Sequence, residues 1–203
     1  MKNIFKELSE KHSFIQVFND FLEISTLAIS NNTTKDKLLE REARYIEICK
    51  KYNKHEIEKF SYILAKLSLE LEEKPRDVLG EILMELQEGN KITGQYLTPF
   101  HISELQSKLS FIGKKYNNGK IELIEPSCGG GAMIIAHYLT LKDKGINPQK
   151  VLNIVAKDLD KKSVFMCYVQ MALLGVQGRV EHSNALSNEV FDVYRLPCWR
   201  YIQ

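Results

Sequence analysis

No glycine precedes Gly80 and no proline precedes Pro75, so the first third of the chain lacks the residues that build tight turns and loops. That absence argues against a strand-rich N-terminal region. The four cysteines, Cys49, Cys128, Cys167 and Cys198, form no C-x-x-C pair and no zinc-type spacing, so neither a disulfide framework nor a metal site is expected. No apolar run approaches the roughly 18 residues of a membrane span. The N-terminal Met1-Lys2-Asn3-Ile4-Phe5-Lys6-Glu7 carries an acid within its first turns, unlike a secretory leader. A cytoplasmic protein is expected. Charge of one sign is also lacking: the formal net charge is +2 over 203 residues. Residues 1–90 hold 14 basic and 17 acidic side chains and residues 91–203 hold 14 and 9, which leaves the second half mildly positive. So small an excess suits a solvated lysine-rich surface as well as a polyanionic ligand.

What is present in residues 1 to about 88 is helical periodicity. Apolar positions recur at intervals of three and four in Phe14, Val17, Phe18, Phe21 and Leu22, in Tyr45, Ile48 and Tyr52, and in Ile57, Phe60, Ile63, Leu64, Leu67 and Leu71. A break at Ser30-Asn31-Asn32-Thr33-Thr34 predicts a new helix near Lys35, and another break falls at Asn53-Lys54. Pro75 fits the first turn of a further helix carrying Val78, Leu79, Ile82, Leu83 and Leu86, stopped by Gly89-Asn90.

Beyond Gly94 short apolar runs alternate with helix-length segments. Ile121 to Ile124, Leu152 to Ala156, Arg179 to His182 and Phe191 to Tyr194 read as strands, with helices over Ala132 to Lys144 and Ser163 to Leu174. This alternation predicts an α/β fold with a doubly wound parallel sheet preceded by a helical N-terminal domain, divided as residues 1–89 and 90–203.

Between the first strand and the first helix of that second region stands Glu125-Pro126-Ser127-Cys128-Gly129-Gly130-Gly131. Glycines at a strand's carboxyl end permit a sharp turn and close approach of a ligand, and the following helix presents free N–H groups. The run suits a nucleotide-like cofactor or a purely structural turn. Asp158 ends the second strand, where a carboxylate can accept hydrogen bonds from both ribose hydroxyls. Asp160, just before Lys161, reads as a helix N-cap. His12, His55 and His101 have no second ligand at helical spacing and read as surface residues. A nicotinamide-binding site is disfavoured, since G-x-G-x-x-G is absent and Glu125 would repel a pyrophosphate.

Gly94-Gln95-Tyr96-Leu97-Thr98-Pro99, followed by Glu-Pro-x-Cys-Gly-x-Gly, resembles the paired signatures of the N6-adenine DNA methyltransferases of type I restriction-modification systems, G-Q-[FY]-x-T-P and [DE]-P-x-C-G-[ST]-G. The resemblance implies S-adenosylmethionine as cofactor. Thr98 would hold its methionine carboxylate, Glu125, Cys128, Gly129 and Gly131 would line the methionine and ribose, and Asp158 would take the ribose hydroxyls. Ser183-Asn184-Ala185-Leu186 is similar to the family's G-[DN]-[ST]-L, which assigns Asn184 to the cofactor's adenine ring. The helical N-terminus resembles the domain that precedes the catalytic domain in modification subunits.

Two departures accompany the matches. The catalytic tetrapeptide of the family, [NDS]-P-P-[YFW], falls on Leu196-Pro197-Cys198-Trp199, so Pro197 and Trp199 keep register while Leu196 cannot accept a hydrogen bond from an adenine amine. The segment reads equally as a degraded catalytic motif or as an unrelated terminal stretch. The chain also stops at Gln203, before the family's last strands and target-recognition elements, which implies a homo-oligomer or a subunit of a larger complex. The expected function is S-adenosylmethionine binding with transfer, present or past, of a methyl group to adenine N6 in DNA. The alternative is a non-catalytic DNA-binding or regulatory module that keeps the cofactor fold.

Overall fold

The computed structural model describes residues 1–31, 37–87, 97–112 and 119–198. Five helices come first: α1 (Lys2–Leu8), α2 (Phe14–Ser30), α3 (Leu38–Cys49), α4 (Lys54–Glu73) and α5 (Val78–Gln87). Their starts follow local side-chain chemistry. The Ser13 hydroxyl accepts from the Gln16 N–H at 3.3 Å. Asn53 and Glu56 form a reciprocal capping box on α4, with bonds of 2.9 and 3.0 Å. The start expected near Lys35 and the stop at Gly89-Asn90 lie outside the described residues, as does the boundary between residues 89 and 90. Pro75 is not in the first turn of α5. That helix begins at Val78, and the Asp77 carboxylate accepts the Gly80 N–H at 2.9 Å in the manner of an N-cap.

After α6 (Phe100–Ser110) come β1 (Ile121–Glu125), α7 (Ala132–Asp143), α8 (Pro148–Val151), β2 (Leu152–Asp158), α9 (Lys161–Leu173), β3 (Gln177–Asn184) and β4 (Glu189–Arg195). The four strands form a sheet in the order β1-β2-β3-β4. The pairs β1·β2 and β2·β3 are parallel, with Ile124 opposite Val155 and Ala156 opposite Val180. The fourth strand corrects the expectation of an all-parallel sheet: β4 runs antiparallel to β3, Arg195 lying opposite Arg179. Only residues 185–188 separate the two strands, a hairpin connection, whereas a parallel return needs a crossover of about a dozen residues. The strand order also never reverses, so these strands lack the switch of direction that defines a doubly wound sheet. Among the described residues no strand covers the outer edge of β1, where Ile124 is 67% exposed.

The helical region and the sheet share one apolar core. Phe5 packs against Phe14, Phe18 and Phe21 at ring-centroid distances of 5.4 to 5.7 Å, and Phe60 joins Phe21 and Tyr52. Helix α9 lies between this cluster and the sheet, against α2 on one side and β2 and β3 on the other. Every residue from Ser163 to Met171 is therefore buried, which explains a helix with no polar face. At the far edge Arg41 of α3 reaches β4, donating to Asp192 Oδ1 at 3.2 Å and the Val193 carbonyl at 3.0 Å, with its guanidinium 4.6 Å above the Tyr194 ring. Burial by itself would raise the Asp192 pKa, but Lys37, Tyr194 and Arg41 reverse that and hold it below the ordinary range.

One buried amide fixes the helical region to the glycine loop. The Nε2 of Gln170, in α9, donates to Asp77 Oδ1 at 2.8 Å and to the Gly130 carbonyl at 2.7 Å, and its Oε1 accepts the Leu79 N–H at 3.2 Å. Gln170 is 0% exposed, so no water can replace these bonds. Gln170→Leu strands a carboxylate, a carbonyl and an N–H at once. At about 1–3 kcal/mol for each abandoned polar group, partly relieved by relaxation, a loss of about 2–5 kcal/mol of unfolding free energy is expected. Urea denaturation followed by circular dichroism checks it, and a variant within 1 kcal/mol or so of the parent would remove Gln170 from this role.

Candidate functional site

At the carboxyl ends of β1 and β2 a cleft of about 220 Å³ opens between the glycine loop and the segment entering α6. The backbone of the loop is shaped by two left-handed residues, Gly129 (φ 52°) and Gly131 (φ 95°), the latter the N-cap of α7. Two bonds then tie the loop to the end of β2: the Cys128 N–H donates to the Lys157 carbonyl at 2.8 Å, and the Gly129 N–H donates to Asp158 Oδ2 at 2.9 Å. Asp158 Oδ1 also accepts the Asp160 N–H at 2.9 Å, so the carboxylate is held in place before any ligand arrives. Asp160 caps α9 through the Lys162 and Ser163 N–H groups, as its position implied.

Of the residues singled out by sequence, Thr98, Glu125, Cys128, Gly129 and Asp158 line the cleft together. Burial raises the Glu125 carboxyl above its usual range and the neighbouring Asp158 charge adds to this, against a lowering from the Ser127 N–H. The Cys128 thiol is pushed well up by its contact with the Cys167 thiol and by burial, so it is an inert packing group in a reduced form. Three other residues are not part of the lining. Gly131 packs against Met171 and Cys167. Asn184 closes the β3–β4 hairpin, its Oδ1 accepting the Leu186 and Ser187 N–H groups at 3.0 and 3.3 Å. Pro197 follows Leu196, which is 0% exposed and whose N–H donates to the Gly178 carbonyl at 2.9 Å. Because β4 is antiparallel, that junction sits at the amino end of β3, opposite the end that forms the cleft. Trp199 and Gly94 to Tyr96 lie outside the described residues.

The sequence reading missed Asp77 and Ser103, both of which line the cleft, and Gln170 behind it. Asp77 explains the middle glycine of the loop. A Cβ on Gly130 would overlap the Asp77 carboxylate, so the position that bears serine or threonine in the resembling signature has its space filled here from another element. The spacing of Asp77 to Gly80, an acid three residues before the first glycine of the chain, was the available signal. The lining contains Asp77, Glu125 and Asp158 and, among the described residues, no lysine, arginine or histidine. A cleft lined by carboxylates favours a ligand bearing positive charge and disfavours a pyrophosphate.

The family model described as N-6 DNA methylase matches residues 74–197, more than half of the chain. The chain belongs to that family. The matched span of this N-6 DNA methylase-family protein takes in Asp77 and α5 as well as the glycine loop and the sheet. No curated protein and no solved structure matches the chain. Among the described residues no helix of this family member is long and apolar enough to cross a membrane, and no group of side chains could hold a metal ion.

Packing of Asp77 on Gly130 predicts that restoring the family's serine is harmful in this chain. Gly130→Ser should cost about 1–3 kcal/mol of stability through overpacking, and most of that cost should vanish in an Asp77→Gly background, where the space is free. A double-mutant cycle by thermal denaturation reads the coupling, and strictly additive effects would refute the contact.

Proposed function

We propose that the cleft binds S-adenosylmethionine and that the protein is a cofactor-binding module of adenine-N6 DNA methylation, of the kind found in restriction-modification systems. The observation that carries this reading is a glycine loop whose cleft holds three carboxylates and, among the described residues, no cation. The cofactor carries a sulfonium and an ammonium, and its methyl group on sulfur is the electrophile it supplies. Asp158 is suited to accept from the ribose hydroxyls, since its bonds to Gly129 and Asp160 leave lone pairs on both oxygens. Gly129 lines the cleft with its Cα covered by the Leu97 side chain, and the Thr98 hydroxyl, also in the lining, is a donor for the cofactor's carboxylate. Residues 90–203 would form this cofactor domain and residues 1–89 a helical domain braced against it, in the cytoplasm.

A second feature favours the non-catalytic alternative for the isolated chain. Leu196 and Pro197 stand at the sheet end away from the cleft, so the described residues bring no polar-proline-proline segment to a bound adenine. Asn184, occupied in the hairpin, is a weaker candidate for the cofactor's adenine than the resemblance implies. A second subunit, either another copy or a different chain, would supply the acceptor and the DNA-reading surface, and the uncovered edge of β1 is consistent with such an assembly.

Calorimetric titration with S-adenosylmethionine should give a one-site isotherm. Asp158→Ala should weaken it by about 1–3 kcal/mol, the cost of leaving hydroxyls unpaired, and an unchanged titration removes Asp158 from the site. The purified chain should leave DNA unlabelled when incubated with radiolabelled cofactor, and robust adenine labelling would overturn the non-catalytic reading. Leu196→Asn should destabilise the fold without restoring transfer, because it puts a polar group in the core.

A further inference from the structure

Two buried polar side chains in the cleft, Asp77 and Ser103, lie outside both signatures and keep unused hydrogen-bonding capacity. Asp77 is 4% exposed; its Oδ1 is bonded to the Gly80 N–H and to Gln170, while no hydrogen bond among the described residues uses Oδ2. Ser103, on α6, is 0% exposed, and its hydroxyl has no hydrogen-bond partner among the described residues. A buried hydroxyl without a partner sacrifices its hydrogen bonds to water and weakens the free fold, so a ligand atom is the natural recipient. Both side chains enter from outside the sheet, Asp77 ahead of α5 and Ser103 one turn into α6, and both line the same cleft as Gly130 and Thr98.

We infer that Asp77 and Ser103 hold the amino-acid end of the cofactor, Asp77 Oδ2 accepting from the α-ammonium and the Ser103 hydroxyl donating to the α-carboxylate. This rests on the reading of the cleft as an S-adenosylmethionine site. Asp158 stands at the end of β2 and suits the ribose, which leaves Asp77, set against Gly130, and Ser103 for the other end of the ligand. That end is a zwitterion, and a carboxylate with a spare oxygen and an unused hydroxyl in one cleft complement it group for group. The direct contact of Asp77 with Gly130 then has a binding consequence: the missing side chain lets a carboxylate from the helical region approach the loop that wraps the ligand. Gln170 acts behind it as a positioning residue, fixing the Asp77 carboxylate by one oxygen and leaving the other toward the cleft.

The test compares two ligands by calorimetry, S-adenosylhomocysteine and its analogue lacking the α-amino group, on the parent chain, Asp77→Asn and Ser103→Ala. The parent should prefer the amine-bearing ligand by about tenfold or more, the value of one charge-assisted hydrogen bond. Asp77→Asn keeps an acceptor for the Gly80 N–H, so its melting temperature should stay near the parent's while its preference between the ligands collapses toward unity. Ser103→Ala should weaken both ligands several-fold and leave the melting temperature unchanged or higher, because the hydroxyl it removes has no partner in the free protein. A merely structural role would move stability instead. Retention of the parent's preference in Asp77→Asn overturns the ammonium assignment, and undiminished binding by Ser103→Ala overturns the carboxylate assignment. If the parent binds neither ligand, the cofactor reading falls and takes this one with it.

Discussion

Gln170 sits where three segments distant in sequence converge: the start of α5, the glycine loop and the middle of α9. An amide is well suited to this junction, since it offers donors to a carboxylate and a carbonyl while its oxygen accepts an N–H. Because the site is closed to water, each of these bonds is worth far more intact than broken. The cleft depends on this junction. Its floor is the loop that Gln170 holds by the Gly130 carbonyl, and one of its walls is the carboxylate that Gln170 holds by Oδ1.

Charge gives the cleft its character. Three carboxylates line a small volume with no cation among the described residues; burial raises the pKa of Asp77 and of Glu125, and the Asp158 charge adds to the shift of Glu125. A ligand carrying positive charge relieves that crowding. The pocket also takes part of its lining from outside the sheet, since Asp77, just ahead of α5, faces it.

The hairpin of β3 and β4 places Leu196 and Pro197 at the end of the sheet away from the cleft. A segment leading toward Leu196 and Pro197 could approach the cleft only by running parallel to β1 and β2, and residues 185–188 are too few for the crossover that this requires. Asn184 and Asn188 build the turn, the first by bonding two N–H groups and the second by adopting a left-handed φ of 58°. The short connection was visible in the sequence. The apolar run Phe191 to Tyr194 marks a strand but not its direction.

Much of this protein was written in local patterns. Spacing of three and four marks the helices, alternation of short apolar runs marks the sheet region, and the cleft residues Thr98, Glu125, Cys128, Gly129 and Asp158 follow from two signatures and a strand end. These features are legible because helix periodicity, capping and loop glycines act over a few residues. The direction of β4, the packing of α9 against α2, and the meeting of Asp77, Gln170 and Gly130 were decided only by the tertiary structure. Gln170 interrupts an apolar stretch and reads by sequence as incidental, while Asp77 ends the charged run from Glu72 and reads as solvent-facing. The bonds that Gln170 makes to Gly130 and to Asp77 span 40 and 93 residues of the chain, and no local pattern encodes which buried donor will meet which buried acceptor.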